Sequence, residues 1–346
     1  MSDALERVAL PWSRRSMLRG LAGLAGGAFV PAALAAPRRA QLVLAGPSAI
    51  VSAPLIHMVE SGALASLAER VEFTPWRDPD QLRVMALEGK ADVLATPTNV
   101  AANLHNRGAA LQLLNVAVWG VLWIVTQDEE RRKLADYRGE EIAVPFRGDM
   151  PDIVLQLLAA QHGLDLRRDL RLRYVPTPME AMQLLLTRRV RHALLAEPAV
   201  SMALRKARSL PVGLVAPSLY RGADLQQAWG QAFGRAPRIP QAGIVATGGL
   251  LQDADALTRI RDAYARSLAW CRAEPMACGQ LMSRHIDLLT PEAVADSIAV
   301  SQLEAVPARD ARAELTLFFE QLQGRNAALI GGRLPAPAFY GLPAAS

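Results

Sequence analysis

From residue 41 onward, short apolar runs alternate with longer amphipathic stretches, and this alternation constrains the fold more than any other feature. Runs at 41–45 (QLVLA), 71–76, 91–95 (ADVLA), 111–118, 121–127, 141–146, 170–175, 192–196, 212–216 and 242–247 read as strands. Between them, one helix starts at Pro54 and runs toward Glu69. Others cover 79–88, a stretch from Thr98, 151–162, 178–188 and 198–207. Residues 220–240 read as a loop, and the chain after Asp253 reads as almost wholly helical. Strands alternating with helices of ~10–15 residues give βαβ units and a mainly parallel sheet. A length of 346 residues suits about two domains. The 220–240 loop is then a point of return between them.

Composition narrows the function. Hydrophobic residues make up 51% and charged residues 21%, which excludes a disordered chain and supports a packed core. The 38 basic residues are interspersed with 33 acidic ones, so the net charge of +5 forms no nucleic-acid stripe. His57, His105, His162, His192 and His285 are too scattered to form a local metal box. There is no G-x-G-x-x-G after a strand, no Walker A, no G-x-S-x-G and no H-E-x-x-H. The sequence therefore assigns no catalytic residue, no metal and no cofactor. Cys271 and Cys278 would lie ~10.5 Å apart on one helix, too far for a disulfide unless Pro275 breaks it. The reading favours two free, partly buried thiols.

The first 36 residues read as an address. Ser13-Arg14-Arg15-Ser16-Met17-Leu18-Arg19 precedes an uncharged stretch, 20–36, that ends in Ala33-Leu34-Ala35-Ala36. A charged start, an apolar middle and an A-x-A-like end make a signal peptide, and the paired arginines resemble the twin-arginine motif. An N-terminal membrane anchor is the other reading. Pro31 and the Gly/Ala-rich composition weigh against it, as does a length short of the ~20 residues a span needs. The expectation is export of the folded chain by the twin-arginine translocase into the periplasm and release as a soluble protein.

Five strand-to-helix junctions look alike, each passing from a strand end to small polar residues or proline. They fall at 46–54, 96–99, 146–151, 177–180 and 197–198. In open α/β sheets ligands sit beyond the carboxyl ends of the strands, where helix N-termini present free N–H groups. This selects Ser48, Ser52, Thr96, Thr98, Asn99 and Thr177 as candidate ligand contacts, although each can equally serve as a helix cap.

Leu134-Ala135-Asp136-Tyr137-Arg138-Gly139 followed by Ile142-Ala143-Val144-Pro145 resembles the "DLxGKxIAVP" segment of periplasmic substrate-binding proteins for nitrate, sulfonates, taurine and thiamine precursors. Gly62-Ala63-Leu64, Gly89-Lys90-Ala91-Asp92, His162-Gly163-Leu164 and Glu197-Pro198 match further short motifs of that family in order, over roughly 41–250. The resemblance implies an α/β chain of the two-lobed periplasmic-binding-protein-like fold, type II, with a ligand cleft between the lobes. Lobe 1 would comprise 37–130 plus 240–346, and lobe 2 would comprise 131–239. The partners implied are a small-molecule ligand and an ABC permease in the inner membrane. The competing readings are an exported ligand sensor or carrier for a signalling or metalloenzyme system, and a small-molecule enzyme on the same fold.

Where relatives carry a small-residue loop after the Ala143-Val144-Pro145 strand, this chain has Phe146-Arg147-Gly148-Asp149-Met150. Arg147 would hold an anionic or zwitterionic group by a bidentate contact, or else pair with Asp149 on the surface. Glu197 would accept from a ligand amine or hydroxyl, neutralise Arg147, or form an acid–base pair with Asp149. Trp76 and Trp119, both at strand ends, would stack on a flat ligand or pack within a lobe.

Overall fold

The computed structural model describes residues 38–343; the expected signal segment lies outside them. The elements run β1 (Arg39–Pro47), α1 (Ala53–Glu60), β2 (Ala68–Trp76), α2 (Pro79–Leu87), β3 (Val93–Pro97), α3 (Thr98–Asn106), β4 (Leu111–Gly120) and β5 (Leu122–Thr126). They continue β6 (Glu141–Pro145), α4 (Met150–Gln161), β7 (Arg171–Val175), α5 (Pro178–Leu186), β8 (His192–Ala196), α6 (Ala199–Arg208), β9 (Tyr220–Asp224) and α7 (Leu225–Phe233). The last are β10 (Ala242–Thr247), α8 (Ala254–Ala273), α9 (Pro275–His285), α10 (Pro291–Val300), β11 (Gln302–Pro307) and α11 (Arg312–Arg325).

Two sheets form, in the orders β11-β4-β10-β3-β1-β2 and β7-β6-β8-β5-β9. β1, β2 and β3 run parallel, as do β6, β7 and β8. β10 and β11 run against the first sheet, and β5 runs against the second. The reversals have one cause. Both sheets turn their strand carboxyl ends toward the same cleft. The chain leaves the first sheet at the end of β4 and enters the second as β5 after one residue, Val121. A strand that begins at the cleft must oppose its neighbours, and the returning β10 does so for the same reason. Residues 122–126, read from the sequence as the end of the first lobe, are therefore a strand of the second sheet.

Gly120 ends β4 at this crossing. A Cβ there would come within 2.7 Å of Gln226 Cγ, so the position has no room for a side chain. Gln226, near the start of α7, accepts from the Leu122 N–H (3.0 Å) and donates to the Leu122 carbonyl (3.1 Å).

Four expectations fail locally. The helix from Pro54 stops at Glu60, because Gly62 takes a left-handed conformation (φ +66°) and Ala63 N–H bonds back to Met58 O. Residues 212–216 form an exposed 3-10 turn over Val212–Leu214 instead of a strand. The 220–240 loop contains β9 and α7. Asp224 caps α7 by accepting from Gln226 and Gln227 N–H, and β9 was hidden by its polar sequence at a sheet edge. The helical tail is interrupted by β11, an edge strand paired with β4.

Apolar positions fill both faces of the sheets. One buried cluster includes Leu44, Ile56, Tyr264 and Met282, and another joins Trp119, Ile153, Trp229 and Phe318. Residues 326–342 fold back on α3, whose Asn106 Nδ2 donates to the carbonyls of Ile330 and Arg333 (both 2.6 Å). Asp92, the aspartate of the Gly89–Asp92 motif, is structural: its carboxylate accepts from Val43 N–H (2.8 Å). Cys271 and Cys278 are buried and free. No helix among the described residues is long and apolar enough to cross a membrane.

Candidate functional site

Between the two sheets lies a cavity of about 490 Å³. All five junctions singled out in the sequence reach it: Ser48 and Ile50 after β1, Thr96 and Pro97 at the end of β3, Phe146 and Asp149 after β6, Thr177 and Met179 after β7, Glu197 and Pro198 after β8. They converge because each follows a strand whose carboxyl end faces the cleft. Trp76 at the end of β2 and Arg77 after it add to the first wall. Gln241, just before β10, and Val121, at the crossing, lie where the chain passes between the sheets.

Six of the eleven candidate residues line this cavity: Ser48, Trp76, Thr96, Asp149, Thr177 and Glu197. Trp76 is buried and donates through Nε1 to Ala95 O (3.2 Å), which fixes its ring in the wall. Thr177 caps α5 by accepting from Glu180 N–H (3.2 Å). The other five face elsewhere. Ser52 donates to Pro47 O (2.6 Å) and Thr98 to Pro240 O (2.6 Å), and both are fully buried. Asn99 is buried in the first turn of α3 and is not among the lining residues. Trp119 donates to Glu304 O (2.9 Å) and lies under the Arg238 guanidinium, 4.0 Å from its ring centroid. Arg147 is exposed, outside the cavity, with its guanidinium 4.9 Å from the Tyr174 ring centroid. The ring is its cation–π partner, and Asp149 and Glu197 pair with other arginines.

The loop that carries Arg147 is held from below. Asp152, fully buried, accepts from Gly148 N–H (2.8 Å), Gln156 Nε2 (2.7 Å) and Tyr174 OH (3.2 Å). Phe146 adopts φ +56°, a left-handed conformation that is strained for a bulky residue, and it lines the cavity.

Both lining carboxylates have cation partners that sequence reading missed. Asp149 Oδ1 meets Arg83 Nη2 of α2 at 2.8 Å, across the cleft. Burial nevertheless pushes the Asp149 carboxyl above the ordinary carboxylate range, and the Arg83 charge only partly opposes it. Glu197 Oε1 accepts from Arg221 Nη2 (2.7 Å) and Nε (3.1 Å), and its Oε2 accepts from Ser201 N–H (3.0 Å). Neither Arg83 nor Arg221 lines the cavity. A second ion pair joins the two halves farther out, Arg205 of α6 to Asp296 of α10, with Nη2–Oδ1 at 2.9 Å. The hydrogen bond from Arg205 holds the Asp296 carboxyl below its ordinary range.

The rest of the lining is apolar. Ile50, Val51, Leu82 and Val100 belong to the first wall, and Met150, Met179 and Met202 to the second. Sequence reading passed over the methionines, although each sits in the first turns of a helix that begins at a junction it had singled out. No group of three or more metal-ligating side chains occurs among the described residues.

No protein-family profile matches this sequence, and neither does any curated protein. Solved structures do match. One is an ABC transporter from Parabacteroides distasonis: 21% identity, TM-score 0.70, covering 89% of this chain and 100% of that one. Another is the periplasmic aliphatic sulphonate binding protein SsuA from Escherichia coli: 16% identity, TM-score 0.63, covering 86% and 98%. A third is the periplasmic nitrate-binding protein NrtA from Synechocystis PCC 6803: 14% identity, TM-score 0.65, covering 84% and 82%. The fold is therefore that of the two-lobed periplasmic binding proteins, as the sequence resemblance implied.

Proposed function

We propose that this chain is a solute-binding protein that captures a small organic molecule and presents it to the permease of an ABC importer. The observation that carries the reading is the cavity itself, walled by junctions from both sheets and bridged by the Arg83–Asp149 pair. Closing two halves on a ligand is a hinge motion, and a closed form differs in shape from an open one in a way that a permease can read. The shared fold with sulphonate- and nitrate-binding proteins supports the same reading.

A binding role also suits the charges. The acid–base pair considered for an enzyme, Asp149 with Glu197, consists of two carboxylates each tied to its own arginine. The anionic or zwitterionic ligand expected from the sequence rested on Arg147, which stands outside the cavity. The proposed place of work is the periplasm, reached through the twin-arginine translocase. Replacing Arg14 and Arg15 by Lys should leave unprocessed chain in the cytoplasm.

Native mass spectrometry of protein purified from the periplasm tests the binding role. A small mass that co-purifies, with small-angle scattering showing expansion once it is removed, supports the reading. A chain that carries nothing and does not contract with any fraction of a cell extract overturns it.

A further inference from the structure

We propose that the cleft takes an uncharged, largely apolar small molecule whose one hydrogen-bond acceptor is met by Gln241 where the chain crosses between the sheets. The proposal rests on the solute-binding reading and names the substrate class of that same site.

The walls give the first reason. The first presents Ile50, Val51, Trp76 and Val100, and the second presents Phe146 and the methionines. Burying apolar ligand surface here is favourable, and unbranched thioethers adapt to either a flat ring or an aliphatic body. At about 490 Å³ the space suits an organic molecule with a hydrocarbon frame.

Charge gives the second reason. A ligand anion would face Asp149 and Glu197, whose arginine partners are not among the lining residues. Arg77 is the only cation among the lining residues, and it is exposed. A ligand cation would find both carboxylates already neutralised. An ion moved into such a space loses its hydration and finds no free counter-ion among the lining side chains, only the N–H groups of the helix starts. An uncharged ligand avoids that loss.

Gln241 gives the third. It is 3% exposed and lines the cavity. Its Oε1 accepts from Val121 N–H (3.1 Å), which fixes the orientation of the amide, because an N–H needs an oxygen opposite it. Nε2 is then a buried donor, and it has no partner. A buried donor left unpaired is costly; Nε2 shows almost no surface to the cavity in this form, and a ligand acceptor that reaches it as the two halves close removes that cost.

The test is calorimetric titration of the chain, freed of any co-purified molecule, with five probes: butyrophenone, butylbenzene, 4-phenylbutyrate, nitrate and taurine. The first three share a phenyl ring on a four-carbon chain and differ in the polar group. Butyrophenone should bind about tenfold more tightly than butylbenzene and than 4-phenylbutyrate, and nitrate and taurine should not compete. Gln241→Met keeps most of the volume and removes the donor. It should reduce the preference for the ketone over the hydrocarbon to within about threefold. Met179→Lys, at a half-buried position, should weaken ketone binding at least about tenfold with the circular dichroism unchanged. Tighter binding of 4-phenylbutyrate, nitrate or taurine than of butyrophenone overturns the uncharged class and leaves the solute-binding reading standing. If no probe binds, the co-purified molecule decides: a neutral apolar one supports the proposal, a charged one overturns it, and its absence together with no contraction on any fraction of a cell extract overturns both readings.

Discussion

Arg83 and Asp149 meet at 2.8 Å across the cleft, one on the helix after β2 and the other on the loop before α4. Asp149 occupies the N-cap position of α4 but does not cap it; its carboxylate reaches toward α2 instead. Burial raises its pKa despite Arg83, so ionising Asp149 in this conformation costs more than the pair returns.

The two partners should therefore respond differently to mutation. Asp149→Asn removes a charge that is disfavoured where it lies and should leave the melting temperature at pH 7 unchanged or slightly raised. Arg83→Ala leaves a buried carboxylate alone and should destabilise by about 1 kcal/mol, a value reduced by the partial exposure of Arg83. For an acid with a raised folded pKa, the stabilisation is complete below the unfolded value and is lost as pH rises through the folded one. Between about pH 4 and the raised value, the parent should lose stability relative to Asp149→Asn. Melting curves of both proteins across that window check the sign, and a parent that gains stability there would refute it.

Arg147 should be nearly silent in binding. Its guanidinium lies over Tyr174 on the outer face, and such a contact at an exposed site is worth about 0.5–1 kcal/mol. Arg147→Ala should cost at most that in stability and should leave the affinity for the co-purified molecule within about twofold. A tenfold loss in calorimetry would bring Arg147 back into the site.

The contrast between Arg147 and Glu197 shows what the sequence made legible. Both were placed near the cleft because both follow a strand, and residues of all five junctions named from the alternation of elements line the cavity. Whether a junction residue turns inward depends on its neighbours. Tyr174 draws Arg147 outward, and Arg221, distant in sequence, fixes Glu197 in the wall. The same limit hid β9, β11 and the antiparallel run of β5, which follow from pairing across the sheets. Gln241 carries no motif; its importance comes from the two strands that cross beside it.

The thiols of Cys271 and Cys278, near the end of α8 and in α9, are both buried. A hydrogen bond to Cys278, with burial behind it, pushes the Cys271 thiol far above its ordinary range, so almost no thiolate forms. Neither thiol should react with a soluble aromatic disulfide reagent while the chain is folded, and both should react once it is unfolded in guanidinium. Rapid labelling of the native chain would contradict the burial.

Gln226 holds the crossing between the sheets, and its loss should be felt there first. Its side chain pairs with both the N–H and the C=O of Leu122, the first residue of β5, and it is 2% exposed. Gly120, two residues earlier, passes so close that any side chain would displace it. Gln226→Leu keeps most of the volume but leaves both backbone groups of Leu122 without that partner. Each group that remains buried and unpaired costs about 1–3 kcal/mol. The variant should therefore unfold at lower denaturant, with an unchanged slope if the native state stays compact. Gly120→Ala acts on the same contact by overpacking, at about 1–3 kcal/mol. Because both substitutions disturb one clamp, the double variant should cost clearly less than the sum of the singles. Urea titrations of the two singles and the double decide the matter: strict additivity would mean that Gln226 and Gly120 act on the crossing independently.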